Sequence, residues 1–188
     1  MHCYIIVAEP TGVALLKEIL RPQVVERPLT IREGGVKSDA GRRARSLLVF
    51  RRDPVVVVTD TKTNDPASVE ELRDYVEYGL SEAARRDRWK VCMAVPELEI
   101  CFFDDPSFVE QLFQTKLSEG DKVRAEFRPK EVLARLFQQK QIPYTEAGIA
   151  QFLGSQDLSP VRQSRLIREI LEGVDALTAK VAVPAAKK

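Results

Sequence analysis

Residues 54–65 read PVVVVTDTKTND. Four consecutive valines are apolar at both phases of a two-residue period, which is what a strand buried on both faces requires. Such strands belong to parallel sheets covered by helices, so this run points to an α/β fold. The run ends on a carboxylate, Asp60, and Asp65 follows it. In open α/β sheets, ligands bind outside the carboxyl ends of the strands, where strand order reverses. The first question is whether Asp60 does chemistry there or only opens a turn.

The flanking sequence supports the sheet. CYIIVAE (3–9) is a β-rich run that also ends on an acid, Glu9. TGVALLKEIL (11–20) reads as a helix, and PLTIREG (28–34) alternates as a second strand. SDAGRRARSLLVF (38–50) reads as a helix with Ala44, Leu47 and Leu48 toward the sheet, and Gly34-Gly35 before it as a turn. In residues 65–87, Val69, Leu72, Val76, Leu80 and Ala83 trace one helical face, and WKVCMAV (89–95) is a fourth strand. The βαβαβαβ order predicts a mostly parallel four-stranded sheet flanked by helices. After residue 105 only helical patterns occur: PSFVEQLF, PKEVLARLFQQK, EAGIAQFLG and PVRQSRLIREILEGVDAL. The predicted division is an α/β domain over 1–105, a helical extension over 106–178 and a flexible tail over 179–188. The extension, with Phe108, Phe113, Phe137 and Phe152, either offers a partner surface or caps an open sheet edge.

Composition excludes several classes. The chain has 188 residues, with 29 Lys+Arg against 28 Asp+Glu, so bulk charge makes no case for nucleic acid. Three cysteines form no CxxC pair and read as reduced core thiols. A single histidine, His2, excludes a His-rich zinc site and argues against a Ser-His-Asp triad. No stretch approaches the roughly 20 apolar residues of a membrane helix, and no signal peptide precedes the first strand. A cytoplasmic protein without a membrane role is expected. Neither GxGxxG nor GxxxxGK[ST] is present, which leaves a phosphate-sensing, flavodoxin-like module the weakest functional reading.

The acids and bases have local readings. If the first and third strands are neighbours, Glu9 and Asp60 approach one another, and two close carboxylates need a proton or a cation between them. Mg²⁺, which takes oxygen ligands, is the simplest such cation. Asp65 before Pro66 reads as a helix N-cap, with Ser68 and Glu71 as a rival capping box. Two basic clusters, Arg42, Arg43 and Arg45, and Arg85, Arg86 and Arg88, are either solvated faces or phosphate grips.

IIVAEPTG (5–12), VVVVTDTKTND (55–65) and MAVPELEICFFDD (93–105) together resemble a TOPRIM domain. The nearest likeness is to small stand-alone TOPRIM proteins of the OLD/RloB-like type, and it spans residues 3–175. The resemblance implies a metal-dependent nuclease subunit of an anti-phage defence or DNA-repair-type complex, using Mg²⁺ or Mn²⁺. It implies an ABC-type or AAA-like ATPase partner, DNA or RNA as a further partner, and a homo-oligomer as a possible state. Glu9 would serve acid–base chemistry or bind metal, and Asp60 would be catalytic and a ligand. Glu97 or Glu99 would match the carboxylates of an ELE segment that begins a helix. Lys62, Arg42 and Arg45 would contact nucleic acid. Two departures stand out: Glu9 is followed by proline rather than glycine, and Lys62 replaces the second acid of Asp-x-Asp. A lysine cannot ligate Mg²⁺. Asp65 substitutes as a ligand if its loop folds back; otherwise the chain is a catalytically inactive TOPRIM scaffold that docks on an ATPase.

Overall fold

The computed structural model describes residues 2–34 and 39–179. Gly35 of the expected turn, Ser38 of the expected third-segment helix and residues 180–188 of the expected tail lie outside the described residues. β1 (Cys3–Val7) leads into α1 (Pro10–Ile19) and a short α2 (Arg21–Glu26). β2 (Leu29–Glu33) is followed by α3 (Asp39–Ser46), which widens into a π-helical turn at Leu47–Arg51. β3 (Val55–Asp60), α4 (Pro66–Ser81) and β4 (Trp89–Ala94) complete the sheet. A 3-10 turn, Leu98–Phe102, then opens the helical half: α5 (Pro106–Phe113), α6 (Glu119–Phe127) and α7 (Pro129–Gln139). α8 (Glu146–Leu153), α9 (Ser159–Arg162) and α10 (Arg165–Ala179) end it.

All strand pairs are parallel, in the order β2-β1-β3-β4. The chain winds outward from β1 to β2 and then returns to place β3 on the other side of β1. The crevice between β1 and β3 is therefore the switch point, and Val7 registers with Val58 at its mouth. Both faces of the sheet are buried, which explains the unbroken valines. Ile5, Val7, Val56, Val58, Cys92 and Ala94 point to one face, and Tyr4, Ile6, Val55, Val57, Val91 and Met93 to the other. Ala44 and Leu48, with Leu80 and the half-buried Val69, Leu72, Val76 and Ala83, close the second face as the helical spacing predicts.

The first face is closed differently. Its core joins α1 to Val109, Phe113, Leu133, Phe137, Ile149, Ile167, Ile170 and Val174, all from beyond residue 105. A division at residue 105 thus follows secondary structure, since every described strand precedes it, but not packing. Gly173 shows how close α10 comes: a Cβ there would lie 3.0 Å from Lys90 Cγ and 3.6 Å from Val56 Cγ2. Phe113 and Phe137, expected either to face a partner or to cap a sheet edge, are buried, and they stack with Phe152 and Tyr144 in one aromatic cluster.

Three local features differ from the sequence reading. α6 is a polar helix that buries only Ala125, so it has no apolar stripe to betray it. Its start is nevertheless written in Ser118 and Asp121, a reciprocal capping box. α2 buries none of its side chains and was equally silent. The long helix expected over 160–177 is broken at Gln163–Ser164. There Asp104 Oδ2 accepts the Arg165 N–H at 2.9 Å, so a distant carboxylate restarts the helix. ELEICFF is helical as expected, but as the 3-10 turn Leu98–Phe102.

If the helical half completes the core, truncation after residue 105 abolishes cooperative unfolding, and a soluble folded fragment would contradict this. Phe137→Ala, at a fully buried position, should lower stability by about 3–5 kcal/mol in chemical denaturation.

Candidate functional site

The carboxyl ends of β1 and β3 bring three acids together. Glu9 sits at the N-cap position of α1, but its side chain caps nothing there. Gly12 lets α1 begin this close to the sheet, since a Cβ would lie 2.8 Å from Val7 Cγ1 and 3.2 Å from Leu98 Cδ2. Asp60 is the last residue of β3, and its Oδ1 accepts the Leu98 N–H at 3.0 Å. It thereby satisfies an orphan donor at the start of the 3-10 turn. Glu97 precedes that turn, and its Oε2 accepts the Lys130 N–H of α7 at 3.1 Å. This N–H too is in the first turn of a helix and lacks an intrahelical acceptor.

The centre of this group is an ammonium. Lys62 Nζ lies 3.0 Å from Asp60 Oδ2, 3.2 Å from Glu97 Oε1 and 3.6 Å from Glu9 Oε1. Backbone bonds aim it there. Thr61 N–H donates to Ala94 O at 3.0 Å and Lys62 N–H to Pro96 O at 2.8 Å, extending the β3–β4 pairing past the strand ends. Lys62 itself has a left-handed φ of 58°, a conformation that costs a non-glycine residue about 1 kcal/mol or more. A second ammonium, Lys130 Nζ, bonds to Glu9 Oε2.

Charge follows geometry. The Lys62 ammonium is held well above the usual lysine range, because Asp60 and Glu97 favour its charged form more than burial opposes it. Burial pushes the Asp60 carboxyl up, and Lys62 and the Leu98 N–H pull it only part of the way back. Burial likewise raises Glu9, but Lys130 and Lys62 outweigh it and hold the carboxyl below its ordinary value. Beneath the group, Glu99 accepts the Tyr144 hydroxyl at 2.7 Å. Burial pushes the Glu99 carboxyl up to about 7 despite that bond.

The donor chemistry does not fit a divalent cation as the group stands. Three carboxylates face two ammoniums, and Lys62 Nζ occupies the point on which the acid oxygens converge. A lysine offers no lone pair to a metal and repels it. Among the described residues, no group of three or more His, Cys, Asp or Glu side chains is disposed to hold a metal ion. Asp65, expected as a substitute ligand, does not join the others. It caps α4, with Oδ2 accepting from Ser68 N–H at 2.8 Å and Ser68 Oγ at 2.6 Å. Ser68 is its partner rather than a rival cap. Arg42 and Arg45, expected to contact nucleic acid, are exposed on α3 over the second sheet face.

Lys130 and Tyr144 escaped the sequence reading. Tyr144 carries no local signal. Lys130 does: a cation in the first turn of a helix opposes the dipole, which implies an acid elsewhere to hold it. The three cysteines are buried free thiols, and burial pushes Cys3 and Cys92 up to about 12, which keeps them protonated at neutral pH.

No protein-family model matches the chain, and no curated protein matches it. Solved structures do. The C-terminal region of the Burkholderia pseudomallei OLD protein aligns with a TM-score of 0.57 at 16% identity, over 96% of this chain and 98% of that one. The C-terminal region of the Xanthomonas campestris pv. campestris OLD protein aligns with a TM-score of 0.53 at 14% identity, over 96% and 95%. The chain therefore has the OLD-like TOPRIM fold that the sequence resemblance implied. The likeness is one of fold.

Glu99 sets a pH dependence whose sign is fixed. Its folded value, about 7, lies above the ordinary 4.5, so the native state holds the proton more tightly. The stabilisation is complete below about 4.5 and is lost as pH rises through about 7. Glu99→Gln keeps an acceptor for Tyr144 and has no proton to lose. Urea denaturation across that window should show the decline in the native chain and a flatter profile in the variant.

Proposed function

We propose that this chain is a TOPRIM-fold module of the OLD type whose acidic site is neutralised from within, and that it works as a docking subunit rather than as a nuclease in isolation. The observation that carries this reading is the Lys62 ammonium, within 3.6 Å of oxygens from Glu9, Asp60 and Glu97. In a metal-dependent phosphodiesterase, divalent ions offset such carboxylates and activate water. Here Lys62 and Lys130 offset them. The acids then serve structure: Asp60 holds the 3-10 turn, and Glu97 joins that turn to α7. The resemblance supplies the setting, a complex with an ABC-type or AAA-like ATPase in phage defence or DNA repair.

One observation favours a second reading. The Lys62 side chain is 48% exposed, so its ammonium can leave toward solvent without crossing the core. In that reading a partner or nucleic acid draws Lys62 out, and Glu9, Asp60 and Glu97 become ligands for Mg²⁺ or Mn²⁺ in a conditionally active nuclease.

Calorimetric titration with Mn²⁺, paired with a DNA and RNA cleavage assay, separates the two. Under the first reading the native chain neither binds Mn²⁺ at millimolar concentration nor cleaves. Lys62→Asp then binds Mn²⁺ at least about tenfold more tightly, because the substitution removes a repelling charge and adds a ligand. Tight binding and robust cleavage by the native chain would overturn the docking reading.

A further inference from the structure

The opposite end of the sheet carries an open hollow. The segments that lead into β3 and β4 border it, and its volume is about 540 Å³. Leu48, Val49 and Arg52 line it on the π-helical side, and Ala83, Ala84, Arg85, Asp87 and Arg88 on the other. That volume lies in the range of small-molecule sites, roughly 300–1,000 Å³. The fold thus brings Arg52 to two arginines of the 85–88 cluster, a meeting that neither stretch of sequence shows.

The polar atoms around it are incompletely paired. Arg88 Nε and Nη2 are buried without a hydrogen-bond partner among the described residues. These two nitrogens form the side-on fork of the guanidinium, whose spacing matches two oxygens of one phosphate or carboxylate. Asp87 Oδ1 is buried and unpartnered as well, while Asp87 Oδ2 lies 3.4 Å from Arg85 Nη2. Arg52 has a left-handed φ of 58° and makes no hydrogen bond or ion pair among the described residues. Arg86, which does not line the cavity, is by contrast fully engaged: it bonds to Glu77 at 2.8 Å and stacks over Trp89 at 4.0 Å. Buried polar groups are paired in native proteins, so an orphaned fork and an orphaned acceptor on two residues that line one hollow call for a partner.

We propose that this cavity binds a phosphate monoester of nucleotide size. The three arginines receive the phosphate, Asp87 Oδ1 accepts a ligand hydroxyl, and Leu48, Val49, Ala83 and Ala84 pack against its apolar part. A free nucleotide and the phosphorylated 5′ end of a nucleic acid present the same chemistry. The site is separate from the Lys62 cluster and does not depend on how that cluster functions.

Trp89, the single tryptophan, reports on the cavity, because its Nε1–H donates to the carbonyl of the wall residue Ala84 at 3.0 Å. Its fluorescence is titrated with a nucleoside monophosphate, with the same nucleoside lacking phosphate, and with a 5′-phosphorylated oligonucleotide. The monophosphate should shift the emission and the bare nucleoside should not. Tighter binding of the oligonucleotide than of the monophosphate identifies a nucleic-acid end, and weaker binding identifies a free nucleotide. Arg88→Lys keeps the charge and loses the fork, and should bind at least about tenfold more weakly, the worth of a charge-assisted hydrogen bond. The double variant Arg52→Gln, Arg85→Gln alters two exposed residues, should keep the native unfolding transition, and should weaken binding at least as much. Arg168→Gln, exposed on α10 and off the cavity, should bind as the native chain does. Equal binding of nucleoside and monophosphate, no response to any probe, or native affinity in the double variant overturns the proposal.

Discussion

Like charges gathered at the mouth of a sheet must be offset, and here the offset is made by two lysines. Glu9, Asp60 and Glu97 converge because β1 and β3 are neighbours and because Leu98 and Lys130 present N–H groups that need acceptors. Without a counter-charge their mutual repulsion would splay the strand ends from the 3-10 turn. Lys62 and Lys130 supply that counter-charge from two different parts of the chain, the β3 loop and α7. The same contacts therefore neutralise the site and tie the helical half of the molecule to the sheet.

This tie has a counterpart in packing. The second face of the sheet is covered by segments that lie between its strands in sequence, α3, the π-helical turn and α4. The first face needs α1 together with α5, α7, α8 and α10, and Gly173 allows α10 to lie against Val56 and Lys90. A parallel sheet cannot leave a face wet. The later helices are thus part of the core, and an acid cluster at the strand ends is the seam where they meet the sheet. The OLD-like fold is shared at 14–16% identity.

What was legible early and what was not divides along a physical line. Periodicity announced β1, β3, β4, α1 and α4, because each buries a continuous or striped set of apolar side chains. Asp65 was legible as a cap because capping is a bond across three residues. α6 was not, because a helix held by its capping box and buried only at Ala125 has no stripe. The break before α10 was not, because the group that restarts the helix, Asp104, is 61 residues away.

The sequence by itself determined that the chain is α/β with a parallel sheet, that Asp60 ends a strand and Glu9 closely follows one, and that a lysine stands two residues past Asp60. These follow from short-range rules: side-chain alternation, helical spacing and the identity of neighbours. Only the tertiary structure decided that Lys62 points into the acids rather than away, that Lys130 joins it from α7, and that Asp65 stays outside. It alone decided that Arg52 meets Arg85 and Arg88 across a cavity. Each of those outcomes depends on charges and backbone donors brought together from distant parts of the chain, and such a meeting has no period for a sequence to display.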